Sequence, residues 1–562
     1  MPAERPDLRY AAARPPRVRI RLYGLGSVFG KTLRDSRFAI RATAATCGLV
    51  VAAGGLSMAT AYGTAATRLE LAAMSSGMPA VLRGVYGNPI RVDTLGGFIS
   101  WHYGTNLALL VGLWSILALS STLAGEARRG SLDLVIATPR ARRRVALQKI
   151  AAHIVAVGLA MACLALATWL TGVLVATMPG DAIAPDAALA FAAAVGVKGL
   201  VAGSIAFALA PLLGRAAAAG IAGGILIAAD VVNGYRTVVP AFDSLAGASW
   251  FAWTFDHVPL AGQSDWPAIV LAAVAAALLL VLGVEGFART DIGVTVGLPG
   301  LGLPAALLGL RGPLGRSFAE SLPAAIAWGA GIALYGLVMA ATSRPFTAAL
   351  SETPGIIEAV RSFLPGVDIS TSAGFLQVAF TDIGYVLVGL AAATFVAGRS
   401  GDETEGRLEL QLAAPVSRLR WAVGSAVASM LAVVLLAAVL GGGIAIGIAA
   451  VGDDPVQPAL GVIVLALYGT ALVGLGVAVA DLVSPSLAAP AILVIAVGTA
   501  LLDILAPALR LPDWVQGFAL TSHLGEPMLG RWDATGVLAC LALAAGGVAA
   551  GAWGLNRRDI SG

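Results

Sequence analysis

Charge is scarce in this sequence. Charged residues make up 12% of the 562 residues, whereas hydrophobic residues make up 58% and the mean hydropathy is +0.86. A soluble domain carries charge on about a quarter of its residues, so this composition excludes an ordinary soluble protein. The apolar residues fall instead into blocks of roughly 20–28, the length that crosses a hydrocarbon core of about 30 Å.

Cysteine is also rare, and regular strand patterns are missing. The cysteines, Cys47, Cys163 and Cys540, lie inside apolar blocks and show no CxxC spacing. We interpret them as small core residues and predict neither a metal site nor a redox site. Alternating segments of about ten residues, which are typical of membrane β-barrels, are absent. The sequence therefore predicts an all-α polytopic membrane protein.

The basic residues indicate which side of the membrane each loop occupies. Almost all of them are arginines, and they cluster in segments that flank apolar blocks. Short segments assigned to the other side are acidic, as at Asp181, Asp186, Asp453 and Asp454. The positive-inside rule explains this pattern, and the pI of about 9.1, without a nucleic-acid partner. We expect both termini in the cytoplasm and no cleaved signal at the arginine-rich start.

About twelve spans are predicted, six in each half, with tight turns near Gly214 and near Pro485. The first-half spans cover 40–63, 98–124, 148–177, 187–213, 217–238 and 266–287. The second-half spans cover 322–343, 375–397, 422–450, 459–481, 487–505 and 533–554. The chain then divides into four segments. Residues 1–38 form a cytoplasmic N-terminal and amphipathic segment, and residues 39–292 form the first six-span half. Residues 293–321 form a linker with a second amphipathic segment, and residues 322–562 form the second six-span half.

The two halves repeat one another. EARRGSLDLVIATPRARRR at 126–144 aligns with DETEGRLELQLAAPVSRLR at 402–420, and GKTLRDS at 30–36 aligns with GRSFAES at 315–321. A repeat at half the chain length indicates duplication. An even number of spans in each half gives both halves the same orientation. We therefore predict two parallel six-helix repeats.

Each charged repeat predicts a short helix on the cytoplasmic face. Apolar residues after Gly130 follow helical spacing, and Pro139 and Pro415 would end the two helices. The predicted helices cover 130–139 and 406–415.

The charged repeats also carry a family resemblance. The pattern E-x-x-x-G-[ST]-L-[DE]-L-x-x-A-[TS]-P-x-x-R, between the second and third of six spans, resembles the membrane subunit of ABC type-2 exporters. The usual unit of that family has six spans, and this chain contains two such units in one sequence. In this respect it is similar to permeases of bacterial polyketide-antibiotic (tetronasin-type) exporters. The second copy departs from the pattern, with Arg407 where Ser or Thr is usual and Ala414 in place of Thr138. The resemblance implies that each repeat is a coupling segment that docks on a separate ATP-hydrolysing subunit. The implied contact residues are Glu126, Gly130, Leu132, Asp133, Leu134, Pro139 and Arg142 in the first copy, and Glu405, Gly406, Leu408, Glu409, Leu410, Pro415 and Arg418 in the second.

The resemblance implies partners and cargo as well. The expected partners are two copies of an ABC ATPase subunit, the lipid bilayer, and a hydrophobic or amphipathic small molecule such as an antibiotic, exported across a bacterial plasma membrane. ATP and Mg would bind the ATPase subunits, so this chain is expected to hold no cofactor, metal or catalytic residue. GLGSVFGKT at 24–32 does not fit a P-loop, because Leu25 occupies the place of the first glycine.

Four charged residues lie inside or at the edges of predicted spans: Lys198, Asp230, Asp382 and Asp503. A charge at mid-bilayer costs about 2.5–3.5 kcal/mol on insertion scales, so such residues face the bundle interior or water. Asp230 and Asp503 occupy matching places in the two fifth spans. Either these residues line the translocation path, or the acids cap helices or pair with Lys198, Arg236 or Arg510.

Two other functions stay open. A proton-coupled secondary multidrug transporter also has twelve spans in two parallel halves and would use the intramembrane acids. However, the loop after the second span does not fit the G-x-x-x-D-[RK]-x-G-[RK] pattern that is usual in that class. A scaffold or lipid-organising protein would leave the repeated charged segments without a role. We therefore predict the permease subunit of an ATP-driven exporter.

Overall fold

The fold is a bundle of membrane-spanning helices. A computed structural model describes residues 27–78, 83–84, 87–123, 141–237, 240–290, 312–351, 368–404, 406–508 and 512–558. Within these ranges, twelve helices are long and apolar enough to cross a membrane. This confirms the prediction of an all-α polytopic membrane protein.

Local signals in the sequence set the helix ends of the first half. The Thr94 hydroxyl begins the second span by accepting a hydrogen bond from the Gly97 N–H at 3.2 Å, and Asp265 begins the sixth span in the same way. Gly214 has a φ of +77°, which favours glycine and confirms the predicted turn there. The helices are α1 (Val28–Asp35), α2 (Arg37–Ala61), α3 (Ala65–Ser76), α4 (Leu95–Thr122), α5 (Arg142–Leu174), α6 (Pro185–Arg215), α7 (Ala217–Tyr235) and α8 (Trp266–Arg289).

The second half has the same succession of spans, with one short antiparallel ladder between its last two. Its helices are α9 (Gly312–Ser351), α10 (Ser372–Ala379), α11 (Thr381–Thr404), α12 (Arg407–Leu412), α13 (Arg418–Ala450), α14 (Val456–Leu482), α15 (Pro485–Ala508) and α16 (Ala534–Arg557). The ladder pairs β1 (Gly525–Glu526) with β2 (Arg531–Trp532).

Two boundaries in the second half differ from the sequence prediction. Residues 315–321, predicted as a separate amphipathic segment, are continuous with the span in α9, because a membrane helix tolerates a proline such as Pro323. The predicted span 375–397 crosses a break at Phe380. The spanning helix starts after that break and has Asp382 in its first turn, where a helix N-terminus favours an acid.

The same pairs of spans pack together in both halves. The first span contacts the third, as α2 with α5 and α9 with α13. The fourth span contacts the sixth, as α6 with α8 and α14 with α16. The second span lies against the fourth in each half. These shared contacts agree with a duplication, and the parallel repeat itself stays a prediction.

The two halves meet along α7 and α9. A Cβ atom on Gly331 would lie 2.7 Å from the Cα of Gly224, so the two backbones are in contact there. Small residues allow such an approach between membrane helices. Trp328 packs over Gly223 on the same seam, and a second contact joins α2 to α15.

The bundle presents two faces. The arginine face, as we call it, carries residues 141–144, 406–420 and 555–558. The opposite face carries residues 62–78, 175–184, 240–265 and 512–533.

Candidate coupling site and charged sites within the bundle

The second charged repeat folds as a short helix, α12, on the arginine face. Gly406 precedes it with a φ of +69°, a left-handed conformation that favours glycine. The helix is shorter than the predicted 406–415. Leu408 is fully buried, whereas Leu410 is 76% exposed. The two leucines were predicted to share one role, and the structure places them in different surroundings.

Leu408 anchors α12 to the rest of the bundle. It packs with Trp421 of α13 and with Ala552 and Leu555 of α16. The Trp421 Nε1–H also donates a hydrogen bond to the Gln411 side-chain oxygen at 2.8 Å. The short helix is thus held by the third and the sixth span of its half.

A buried arginine lies beneath this anchor. Arg399 of α11 donates to both carboxylate oxygens of Asp481 in α14, at 2.7 and 3.1 Å, and to the Ser425 hydroxyl of α13 at 3.0 Å. Its guanidinium lies 4.8 Å from the centroid of the Trp421 ring. The side chains of Arg399 and Asp481 are 2% and 1% exposed. This bidentate pair, the strongest form of charged hydrogen bond, ties three spans together.

Two further ion pairs hold the acids that precede α12. Asp402 pairs with Arg407 at 2.8 Å, and Glu403 pairs with Arg558, which follows α16. Arg407 is one of the two residues of the second copy that depart from the family pattern, and it has an acidic partner within the chain. Arg558 lies 4.0 Å from Asp481, which links these pairs to the buried arginine.

Arg142 and Arg418 are the first residues of the two third spans, and each contacts the end of the sixth span of its half. Arg142 Nη1 donates to the Thr290 carbonyl at 3.0 Å, and Arg418 Nη1 donates to the Arg558 carbonyl at 3.0 Å. A cation stabilises the last carbonyls of a helix, so both predicted contact residues have a role inside the chain. Of the other predicted contact residues, Glu409, Leu410 and Pro415 are exposed on the arginine face, and Glu126, Gly130, Leu132, Asp133, Leu134, Pro139 and Glu405 lie outside the described residues.

The sequence did not single out Arg399 and Asp481 as partners. Each residue lies at the end of an apolar block, near the arginine face. This position at the end of a span is the sequence feature that could have indicated a role for them. Their pairing depends on the way α11 and α14 pack, which no local pattern specifies.

The four charged residues predicted inside the spans lie within electrostatic range of one another two by two. In the first half these are Lys198 of α6 and Asp230 of α7. In the second half they are Asp382 of α11 and Asp503 of α15, and the Thr521 hydroxyl donates to Asp503 at 2.5 Å. The matching positions Asp230 and Asp503 therefore have a lysine nearby in one half and an acid nearby in the other. The predicted contribution of all four to a translocation path stays a prediction.

Comparison with known families bears on the second half of the chain. Residues 310–556 match the family model described as Multidrug efflux system permease Rv1217c, C-terminal domain. This match supports a membrane permease for drug efflux. The matched range of the permease contains α12, Arg399 and Asp481. None of the curated proteins matches the chain.

On the opposite face of the permease, Arg68 and Asp181 form a buried pair. The Arg68 guanidinium, on α3, contacts both carboxylate oxygens of Asp181, one of them at 2.9 Å. The backbone N–H groups of Leu95 and Thr177 donate to the same carboxylate at 3.1 Å each. Burial opposes ionisation of Asp181, but the hydrogen bonds from Arg68 and the backbone outweigh it and lower the pKa of Asp181.

Loss of this carboxylate is expected to loosen the opposite face. In the permease, Asp181→Asn should lower the free energy of unfolding by about 1.5–3 kcal/mol, the range for hydrogen bonds to a charged group. Because the pKa of Asp181 is lowered on folding, its contribution is complete above about pH 3.9 and is lost as the pH falls through the lowered value. The melting temperature of purified wild-type and variant permease, followed as the pH is lowered through this range, measures both effects. Asp186→Asn removes an exposed acid in the first turn of α6 and should have a much smaller effect. A melting difference that persists unchanged at the lowest pH would contradict the assignment.

Proposed function

We propose that this chain is the membrane subunit of an ATP-driven ABC exporter that moves hydrophobic or amphipathic, antibiotic-like compounds out of a bacterial cell. Two copies of a separate ATPase subunit bind ATP and Mg and dock on the arginine face. That face and both chain termini lie in the cytoplasm. The tetronasin-type antibiotic permeases are the subfamily that the double-length sequence favours.

The exposed leucine of α12 is the observation that carries this proposal. Leu410 is 76% exposed on a helix of a charged segment outside the spans, and it is not part of the apolar cluster that holds this helix. Directly behind it, Leu408 is fully buried and fixes the helix to α13 and α16. An apolar contact on a firmly held polar surface is typical of a protein-docking site.

The contacts beneath α12 provide a route for mechanical coupling. The Arg399 guanidinium joins α11, α13 and α14, and the Leu408 contacts join α13 and α16. A force applied to α12 by a closing ATPase therefore reaches four spans of this half. In the first half, the aligned segment 130–139 is proposed to receive the second ATPase.

A proton-coupled secondary transporter is the alternative function. The observation that favours it is the pair of interacting acids inside the second half, Asp382 and Asp503. Two acids in a membrane bundle can take up and release a proton during a transport cycle. This alternative leaves the exposed leucine on the arginine face without a role.

A matched pair of leucine variants tests the proposal. The permease is co-expressed in turn with each ABC ATPase subunit encoded in its own genome, and association and ATP hydrolysis are measured for wild type, Leu410→Asp and Leu408→Asp. Leu410→Asp should weaken association at least about tenfold, as expected for an interface hot spot, and should leave the melting temperature unchanged. Leu408→Asp places a charge in a closed apolar cluster and should lower the melting temperature.

Two results would contradict this function. One is full ATPase association by the Leu410→Asp permease. The other is a wild type that binds no ATPase and yet moves substrate when only a proton gradient is supplied. The second result would favour the secondary transporter.

A further inference from the structure

A polar cavity lies inside the first half, close to the opposite face. Its walls come from the first turns of α4, from α6, from the end of α7 and from the loop 251–258. The cavity measures about 90 Å³. Its polar lining includes Ser100, Lys198, Asn233 and His257.

Three of these side chains have polar atoms that are buried without a hydrogen-bond partner: Ser100 Oγ, Asn233 Oδ1 and His257 Nε2. His257 is only 5% exposed, and its Nε2 lies near the Ala190 backbone without hydrogen-bond geometry. Buried polar atoms in folded proteins are almost always hydrogen-bonded. Three unpaired atoms around one cavity therefore indicate a ligand with complementary groups.

The hydrogen-bonding groups of the cavity favour an anion. The Asp265 backbone N–H donates to His257 Nδ1 at 3.0 Å, so the neutral ring carries its proton on Nε2, as a donor. Ser100 supplies a hydroxyl donor, and the Asn233 amide supplies an NH2 group after a half-turn flip. Lys198 adds an ammonium group to the same wall.

Lys198 has one acidic neighbour outside the cavity. Asp230 of α7 interacts with it electrostatically and does not line the cavity. This neighbour reduces the cost of placing a lysine in a membrane span. The ammonium group has three donors, and an anion in the cavity would accept from them.

The remaining wall is largely aromatic. Phe191, Phe251 and Phe255 line the cavity, and the Arg236 guanidinium lies 4.6 Å from the centroid of the Phe255 ring. Sites for drug-sized ligands usually measure about 300–1,000 Å³. A cavity of about 90 Å³ therefore encloses a charged head group and its first carbon atoms, and not a whole drug-sized molecule.

We propose that this cavity binds the carboxylate group of an amphipathic compound, with Lys198 as its counter-ion and Ser100 and His257 as hydrogen-bond donors. The inference rests on the proposed export function in one respect, because it names the chemical class of a compound that the exporter handles. It does not depend on ATP or on the ATPase subunit.

Equilibrium binding to the full chain, without any ATPase, tests the site. The probes are dansyl-undecanoic acid and its methyl ester, titrated against the permease in nanodiscs of phosphatidylcholine. The acid should bind at least about tenfold more tightly than the ester, as expected for one charge-assisted contact. Lys198→Met should remove this preference, whereas Lys31→Met, which removes an exposed lysine of α1, should keep it. Equal binding of acid and ester by wild type would overturn the proposal.

A second variant distinguishes a loss of binding from a loss of folding. Lys198→Met leaves Asp230 without its counter-charge, so Lys198→Met/Asp230→Leu removes both charges together and should show the same loss of preference. Retention of the preference in the double variant would overturn the proposal. Nanodiscs that contain phosphatidylglycerol separate a lipid phosphate from a free carboxylate, and displacement of the acid by this lipid would overturn the carboxylate assignment. A failure of ATPase association would contradict only the proposed function, because no ATPase is present in this experiment.

Discussion

Replacement of Gly547 by leucine is expected to keep α16 from packing against α14 and to remove most folded protein from the membrane. A Cβ atom at Gly547 would lie 2.3 Å from the carbonyl carbon and oxygen of Gly474. Overpacking costs about 1–3 kcal/mol where side chains can shift. Here the obstacle is backbone, which cannot rotate away, so we expect a loss of at least about 3 kcal/mol. Fluorescence-detected gel filtration and the melting temperature of a tagged chain measure it.

The neighbouring glycine provides the control. A Cβ atom at Gly546 meets nothing within 4 Å, and this residue is exposed on the outside of the bundle. Gly546→Leu should therefore fold and elute like wild type. If both variants lost folded protein to the same extent, the helix contact at Gly474 would not be the cause.

Replacement of Arg399 by methionine is expected to have the second large effect. It leaves the Asp481 carboxylate, which is 1% exposed, without its bidentate partner. Removal of one member of a buried ion pair costs about 3–5 kcal/mol. Because Arg399 also bonds Ser425 and stacks on Trp421, the anchor of α12 should weaken with it. We expect a lower melting temperature and, in the complex with the ATPase, less hydrolysis.

The double variant Arg399→Met/Asp481→Leu separates charge from packing. Replacement of a whole buried ion pair by apolar residues is often neutral or stabilising, so most of the lost stability should return. Arg558, 4.0 Å from Asp481, then keeps its other partner, Glu403. A double variant as unstable as the single one would show that the buried charge is not responsible.

The spans could be predicted because the bilayer fixes their length. A block of about 20 apolar residues crosses the hydrocarbon core as a helix, because a helix forms all the hydrogen bonds of its backbone within the segment. The turn at Gly214 followed from one glycine in a long apolar run. The break at Phe380 was not predicted, because Asp382 was interpreted as a charge inside one long span and not as part of the first turn of a new helix. The continuity of α9 through 315–321 was hidden by Pro323, which a membrane helix tolerates.

The location of the second charged segment was predictable, but the roles of its residues were not. An island of charge between two apolar blocks must lie outside the membrane. In a helix of only six residues the sequence does not show which leucine faces inward, and the structure buries Leu408 and exposes Leu410. The Arg399–Asp481 contact joins residues 82 positions apart, so it follows from tertiary packing alone.

The buried arginine also has a genetic consequence. In an exporter assembled from two identical subunits, every substitution appears twice, once beneath each ATPase. In this chain, Leu123 and Lys149 stand at the aligned positions of Arg399 and Ser425. Under the proposed function, a single codon change at Arg399 therefore alters the support of one ATPase and leaves that of the other unchanged. Variants altered on one side only are then available by ordinary point mutation, without tandem fusion of two genes.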